Sequence, residues 1–200
     1  NEMKGAFSSP DEVLEREIMN HLFPDTTYGC ESGGDPKNIP DLTYENFLNF
    51  HRTYYHPSNS YIYLYGKMDM EEKLAFLDEH YLSHFDYLDV DSVIQEQKAF
   101  GACRDVTLEY PVAENEGEED NTYLSYNMVV GNAADSQMAM AFEVLDYALL
   151  SAPGAPLKQA LLDVKAGKDV YGSYDDRIHQ PYFTVIAKGS NPDRKEEFVS

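Results

Sequence analysis

The spacing of apolar side chains switches repeatedly between two periods along this chain, and this switching limits the possible folds more than any other feature. Apolar residues recur at every fourth position at Leu14, Ile18 and Leu22, which is the spacing of one helix face. Apolar and polar residues instead alternate around Phe183 and Val185, which is the spacing of a half-buried strand. A chain with both periods is expected to combine helices with a sheet.

Start and stop signals divide these patterns into elements. Capping side chains precede the apolar stripes at Ser9, Thr43, Asp69 and Asp135. We predict helices over 10–22, from Thr43 to just before Pro57, from Asp69 to about Phe85, after Asp135, over 157–164 and from Pro192. We predict strands over 60–66, 106–110, 121–130, 169–174 and 181–188. This order predicts an α+β fold, with a mixed β-sheet and helices packed on one face.

The charge balance restricts the partners. The 200 residues include 36 acids and 15 bases, which gives a net charge of −21, and 42% of the residues are apolar. Binding to nucleic acid or to an anionic membrane needs clustered Lys and Arg, so neither partner is expected. The two cysteines, Cys30 and Cys103, are too few for a disulfide framework. A reducing compartment follows as the default, and we expect a cytoplasmic location.

The chain reads as an internal fragment with a boundary near its middle. Both ends resemble interrupted helices, and residues 86–100 form a polar bridge with few turn formers. The predicted division is therefore 1–86, a linker over 87–102, and 103–200.

Searches for complete catalytic motifs find none. His80 and His84 lie four residues apart, a spacing that suits either metal ligands or simple helix-end histidines. Neither His-Glu-x-x-His nor the inverted His-x-x-Glu-His occurs, and no serine or cysteine has a nucleophile signature. Residue spacing alone therefore stops at an acidic α+β protein.

A set of spaced residues nevertheless forms a recognisable pattern in the first half of the chain. Its members are Tyr28-Gly29, Gly34, Ile39, Leu42-Thr43, Phe47, Phe50, Tyr54-Tyr55, Pro57, Asn59 and Gly66-Lys67-Met68-Asp69. The pattern resembles the pitrilysin/insulinase family of inverzincin zinc metallopeptidases. The stretch 27–36 is similar to the presequence-protease branch in particular. The resemblance covers 1–86 firmly and 100–200 more loosely, as two structurally related half-domains, and we treat one composite sheet between them as a hypothesis.

The resemblance implies a zinc site that this chain holds only in part. The family binds zinc through two histidines of His-x-x-Glu-His and a glutamate on a later helix. The start Asn1-Glu2-Met3 resembles the segment with that later glutamate, so Glu2 is the candidate metal ligand. The resemblance implies that the full-length parent is a zinc-dependent endopeptidase for short unstructured peptides, which works with the remaining domains of its polypeptide. This fragment should be inactive alone and should bind no zinc, because a catalytic zinc needs three protein ligands. The alternative is a metal-less family member that acts as a peptide-binding or chamber-wall subunit.

Overall fold

The structure is a computed structural model that describes residues 9–112 and 117–200. The chain divides into two compact units, one formed by Asn1–Ser32 with Gln95–Ser200 and the other by Gly33–Ile94. The first unit joins distant parts of the sequence because the helix over 10–22 packs on the sheet formed near the other end of the chain. The boundaries predicted from the sequence, 1–86, 87–102 and 103–200, stay a prediction about the domains of the parent.

Six α-helices and three strands are formed by the described residues. The helices are α1 (Pro10–Leu22), α2 (Tyr44–Tyr54), α3 (Met70–His80), α4 (Ser136–Asp146), α5 (Pro156–Asp163) and α6 (Lys195–Val199). The strands are β1 (Thr122–Val129), β2 (Asp169–Asp175) and β3 (Tyr182–Ser190). A π-helical turn, Tyr147–Ser151, continues α4. None of the described helices is long and apolar enough to cross a membrane.

The three strands form an antiparallel sheet in the order β1-β3-β2. In the register, Ala187 on the central strand lies opposite Leu124 of β1 and Val170 of β2. The strands predicted over 121–130, 169–174 and 181–188 are confirmed, as is the α+β class. Within the described residues the sheet is antiparallel throughout.

Helices cover both faces of the central strand. Phe183, Val185 and Ala187 point to one face and join the core cluster that includes residues of α5, α6 and the π-helical turn. Tyr182 and Ile186 point to the other face, where they contact α1 and Phe23. The prediction that helices pack on one face holds for the helices after β1, but α1 covers the opposite face. The reason is that β3 is apolar on both sides, so both sides need a cover.

Two predicted strands are wrong. Residues 60–66 and 106–110 form no strand, and Tyr61, Tyr63 and Tyr65 are 105%, 84% and 86% exposed. A run of apolar residues indicates a preference for burial, but a strand also needs a partner for its backbone groups. Residues 60–66 have no ladder partner among the described residues, and the composite-sheet hypothesis stays a prediction.

The second compact unit, 33–94, has no buried side chain, and this includes the side chains of α2 and α3. The apolar stripe predicted for α2 exists but faces outward, with Phe47 66% and Phe50 58% exposed. Both side chains lie on α2 and remain mostly exposed among the described residues.

Candidate functional site

Glu2, the predicted zinc ligand, lies outside the described residues, so its role stays a prediction. Within 9–112 and 117–200, no three His, Cys, Asp or Glu side chains come together in a geometry that could hold a metal ion. A catalytic zinc needs three protein ligands and an open position for water. The described donor set therefore does not fit a catalytic zinc.

The histidines in the second unit have local structural roles. His80 is the last residue of α3, and its ring lies 4.6 Å from that of Phe76. The helix then gives way to a 3₁₀ turn that contains His84, so the pair no longer shares one helical face. The Nδ1 atom of His56 accepts a hydrogen bond of 3.2 Å from the backbone N–H of Ser58. These contacts favour a structural role for the histidines at helix ends and in turns over a role as metal ligands.

The family-motif residues after α1 shape a tight loop. The hydroxyl of Tyr28 accepts a hydrogen bond of 3.1 Å from the backbone N–H of His179, and its ring packs edge-on to Phe23 at 5.8 Å. A Cβ atom at Gly29 would lie 2.3 Å from the carbonyl oxygen of Phe23. Glycine is therefore required at position 29, where the chain passes close to Phe23, and Tyr28 packs on the same residue.

The later motif residues end or begin helices. The Thr43 side chain accepts from the backbone N–H of Asn46 at 3.1 Å, and Asp69 accepts from that of Glu72 at 3.1 Å. These two bonds satisfy donors that a helix start leaves free, as predicted. The Asn59 amide donates to the Tyr54 carbonyl at 3.0 Å, which closes the turn after α2. The motif is thus scaffold in the described residues.

The clearest cluster of interacting ionisable side chains ties α1 to the sheet. The Lys188 ammonium donates to one oxygen of Asp11 at 2.8 Å, and the Tyr171 hydroxyl donates to the other at 3.0 Å. The Lys188 nitrogen also lies 5.2 Å from the centre of the Tyr123 ring. Asp11 belongs to the first turn of α1, and its three partners come from the three strands. We name these four residues the α1 tether.

The pKa values in the α1 tether reflect this pairing. The hydrogen bond from Lys188 lowers the pKa of Asp11, and the same bond raises the pKa of Lys188. Burial, followed by the bond to Asp11, raises the pKa of Tyr171 to about 12. Each shift favours the state in which the contacts form, namely carboxylate, ammonium and neutral phenol. The cluster therefore acts as an anchor for α1, and its members bond to one another.

Sequence reasoning missed the α1 tether. Asp11 is an acid in the first turn of α1, and it lies 160 residues from Tyr171 and 177 from Lys188. A single sequence has no local signal for a contact across such separations.

The described residues of the first unit form a cavity and an apolar groove, among other surface features. A cavity of about 420 Å³ lies between the π-helical turn, α5 and β2, with Lys158, Gln159, Tyr171 and Gly172 among its lining residues. An apolar groove of about 460 Å³ lies beside β1, α4 and α6. Its lining includes Tyr126, Met128, Phe142, Leu145, Phe198 and Val199. The groove is suited to apolar packing rather than to acid–base chemistry, since it contains no acidic, basic or histidine side chain.

Comparisons with known proteins agree on one family. The family described as Peptidase M16 inactive domain matches residues 41–200. The chain is 48% identical over 198 residues to Protein HypA of Clostridium perfringens, covering 99% of this chain and 20% of that protein. It is 37% identical over 206 residues to Presequence protease 1, chloroplastic/mitochondrial, of Arabidopsis thaliana, covering 100% of this chain and 19% of that protein. The chain thus spans about a fifth of the length of these curated relatives.

A solved structure has a similar fold. The crystal structure of an M16-like peptidase from Alicyclobacillus acidocaldarius matches with a TM-score of 0.53 and 16% identity. The match covers 99% of this chain and 48% of that one. At this identity the likeness shows the fold alone, and it agrees with the α+β class.

The expected cytoplasmic location is wrong. Relatives from Arabidopsis thaliana and Xenopus laevis are named as chloroplastic/mitochondrial and mitochondrial presequence proteases. The inference from two cysteines failed because cysteine usage distinguishes reducing from oxidising surroundings, not one reducing compartment from another.

Proposed function

This chain belongs to the Peptidase M16 inactive domain family, and on that premise we propose that it is a non-catalytic structural segment of a longer zinc-dependent endopeptidase. The family resemblance predicted from the motif residues is thereby confirmed. The observation that carries the proposal is the absence of a metal-capable donor cluster from 9–112 and 117–200, in a chain whose family match is to an inactive domain. The described residues supply helix caps, a sheet and an anchor for α1, which are structural roles.

We place the zinc in the parent polypeptide, with Glu2 as one of its ligands. The family resemblance supports this placement, and the donors of the described residues do not offer an alternative site. Zinc of this kind supplies an activated water molecule when bound.

The remaining domains of the same polypeptide are the partners that fit the surface of this chain. The relatives are about five times longer than the part matched here. The exposed stripe of α2 and the apolar groove beside β1 offer surface for these domains, since burying one large apolar side chain contributes roughly 1.5–3 kcal/mol. We therefore assign both surfaces to contacts within the parent.

Peptides are the substrate class of the parent. Relatives are named presequence proteases, which supports peptides rather than folded proteins. The net charge of −21 favours the approach of basic peptides over acidic ones.

The test compares this 200-residue chain with the full-length parent. We expect the parent to bind zinc and to cleave a quenched unstructured peptide, and the isolated chain to do neither. In the parent, Glu2→Gln should abolish zinc retention and cleavage, whereas the matched control Glu12→Gln on exposed α1 surface should leave both unchanged. Zinc-dependent cleavage by the isolated chain, or a fully active Glu2→Gln parent, would contradict the proposal.

A second candidate is a metal-less subunit that binds peptides without cleaving them. The description of the matching family as an inactive domain favours it. The same experiment separates the two, because this candidate predicts a parent that binds the labelled peptide, retains no zinc and yields no cleavage product.

A further inference from the structure

Gln97 lies where the chain returns from one compact unit to the other. The chain leaves the first unit after Ser32 and re-enters it at Gln95. Gln97 follows two residues later in a segment with no helix or strand, yet it is only 6% exposed. A buried glutamine outside regular structure needs partners for its side-chain donor and acceptor.

The side chain of Gln97 holds Asp25 by two hydrogen bonds. The backbone N–H of Asp25 donates to Oε1 of Gln97 at 2.9 Å, and Nε2 of Gln97 donates to the Asp25 carboxylate at 2.7 Å. Asp25 lies shortly before the exit point, so this reciprocal pair joins the outgoing segment of the chain to the returning one.

The backbone of Gln97 is held by a second reciprocal pair. Its N–H donates to Oε1 of Gln180 at 2.5 Å, and its carbonyl accepts from Nε2 of Gln180 at 3.2 Å. Gln180 precedes β3, the central strand. The neighbouring Glu96 carboxylate contacts Asn132 at 2.8 Å and His179 at 3.4 Å. The returning segment is therefore fixed to the body of the first unit on one side and to the outgoing segment on the other.

We propose that Gln97 acts as a latch between the outgoing segment around Asp25 and the returning segment 95–98. Its hydrogen bonds keep both segments ordered together on the first unit. While the Gln97–Asp25 hydrogen bonds are formed, the outgoing and returning segments unfold locally only together. When these bonds are broken, each segment can unfold locally without the other. The amide of glutamine suits this position because the pair with Asp25 uses one acceptor and one donor, whereas an ionised glutamate supplies acceptors only.

Amide hydrogen exchange of this chain, measured residue by residue by NMR, tests the latch. Gln97→Ala should raise the exchange rate of the Asp25 amide by about tenfold or more, because the acceptor of this amide is lost. The near-isosteric Gln97→Glu should have a similar effect, because its carboxylate replaces the Nε2 donor and repels the carboxylate of Asp25. Amides of β3 should keep their rates. Asp25→Asn keeps an acceptor for Nε2 and should behave like the unaltered chain, and Gln137→Ala, at an exposed glutamine of α4, is the matched control.

Two results would overturn the proposal. One is an Asp25 amide whose exchange rate stays the same in both Gln97 variants. The other is an equal acceleration in β3, which would make Gln97 an ordinary packing residue of the whole unit. If Gln97→Ala does not fold, Asp25→Ala at the exposed end of the pair replaces it, and unchanged exchange across 95–98 in that variant would be equally fatal.

Discussion

Replacing Phe23 by alanine should remove much of the attachment of α1 to the sheet. Phe23 is 0% exposed, and its ring packs edge-on to Tyr28 at 5.8 Å and to Tyr182 at 6.2 Å. Truncating a fully buried phenylalanine to alanine costs about 3–5 kcal/mol. The lost edge-to-face contacts, worth about 0.5–1.5 kcal/mol each, place the expected loss toward the upper end. We therefore expect the free energy of unfolding of the first unit to fall by about 4–5 kcal/mol.

Urea denaturation followed by circular dichroism measures this loss, since the chain has no tryptophan to report it by fluorescence. Phe47→Ala is the matched control: the side chain is 66% exposed on α2 and should change the free energy of unfolding by less than about 0.5 kcal/mol. A loss below about 1 kcal/mol for Phe23→Ala, or equal losses for both variants, would refute the packing of α1 on β3.

Three further outcomes follow from the structure. Gly172→Ala should lower the urea midpoint by the equivalent of about 2 kcal/mol or more, because its Cβ would lie 2.2 Å from the carbonyl oxygen of Thr184; an unchanged midpoint would contradict that close approach. Pairing with Lys188 lowers the pKa of Asp11 below 3.8, so its stabilisation is present above that pH and is lost as pH falls through the folded-state value. Asp11→Asn should flatten this acid limb in urea midpoints measured from pH 2 to pH 6, and an unchanged limb would argue against the α1 tether. Phe47→Ala is expected to be nearly neutral in this chain but to lower the free energy of unfolding of the full-length parent by about 2 kcal/mol or more, because we expect other domains to cover α2 there. Thermal unfolding of the parent tests this expectation, and equal effects in both proteins would contradict it.

Local patterns predicted several helix starts and turns whose cause lies within a few residues. The starts of α2 and α3 follow from Thr43 and Asp69, whose side chains bond backbone N–H groups three residues on. Asp135 acts in the same way for α4, where it accepts from the N–H of Met138 at 3.0 Å. The turn after α2 also has a local cause, since the Asn59 amide donates to the carbonyl of Tyr54, five residues back.

The candidate site was less predictable. The sequence led to Glu2 through family resemblance, and that assignment remains a prediction outside the described residues. The α1 tether and the Gln97 latch were not anticipated, because Asp11, Tyr171 and Gln97 are ordinary residues in ordinary local contexts. Their roles come from partners 72 to 177 residues away.

The sequence by itself determined the family, the helix starts and the strands β1 to β3, because spacing and capping act over short stretches of chain. Tertiary structure alone decided that α1 covers the second face of β3, and that residues 60–66 form no strand with any other part of 9–112 and 117–200. Both outcomes depend on which surfaces meet in space. An apolar run records only the preference of a segment for burial, and the geometry of the whole chain decides whether a partner is present to bury it.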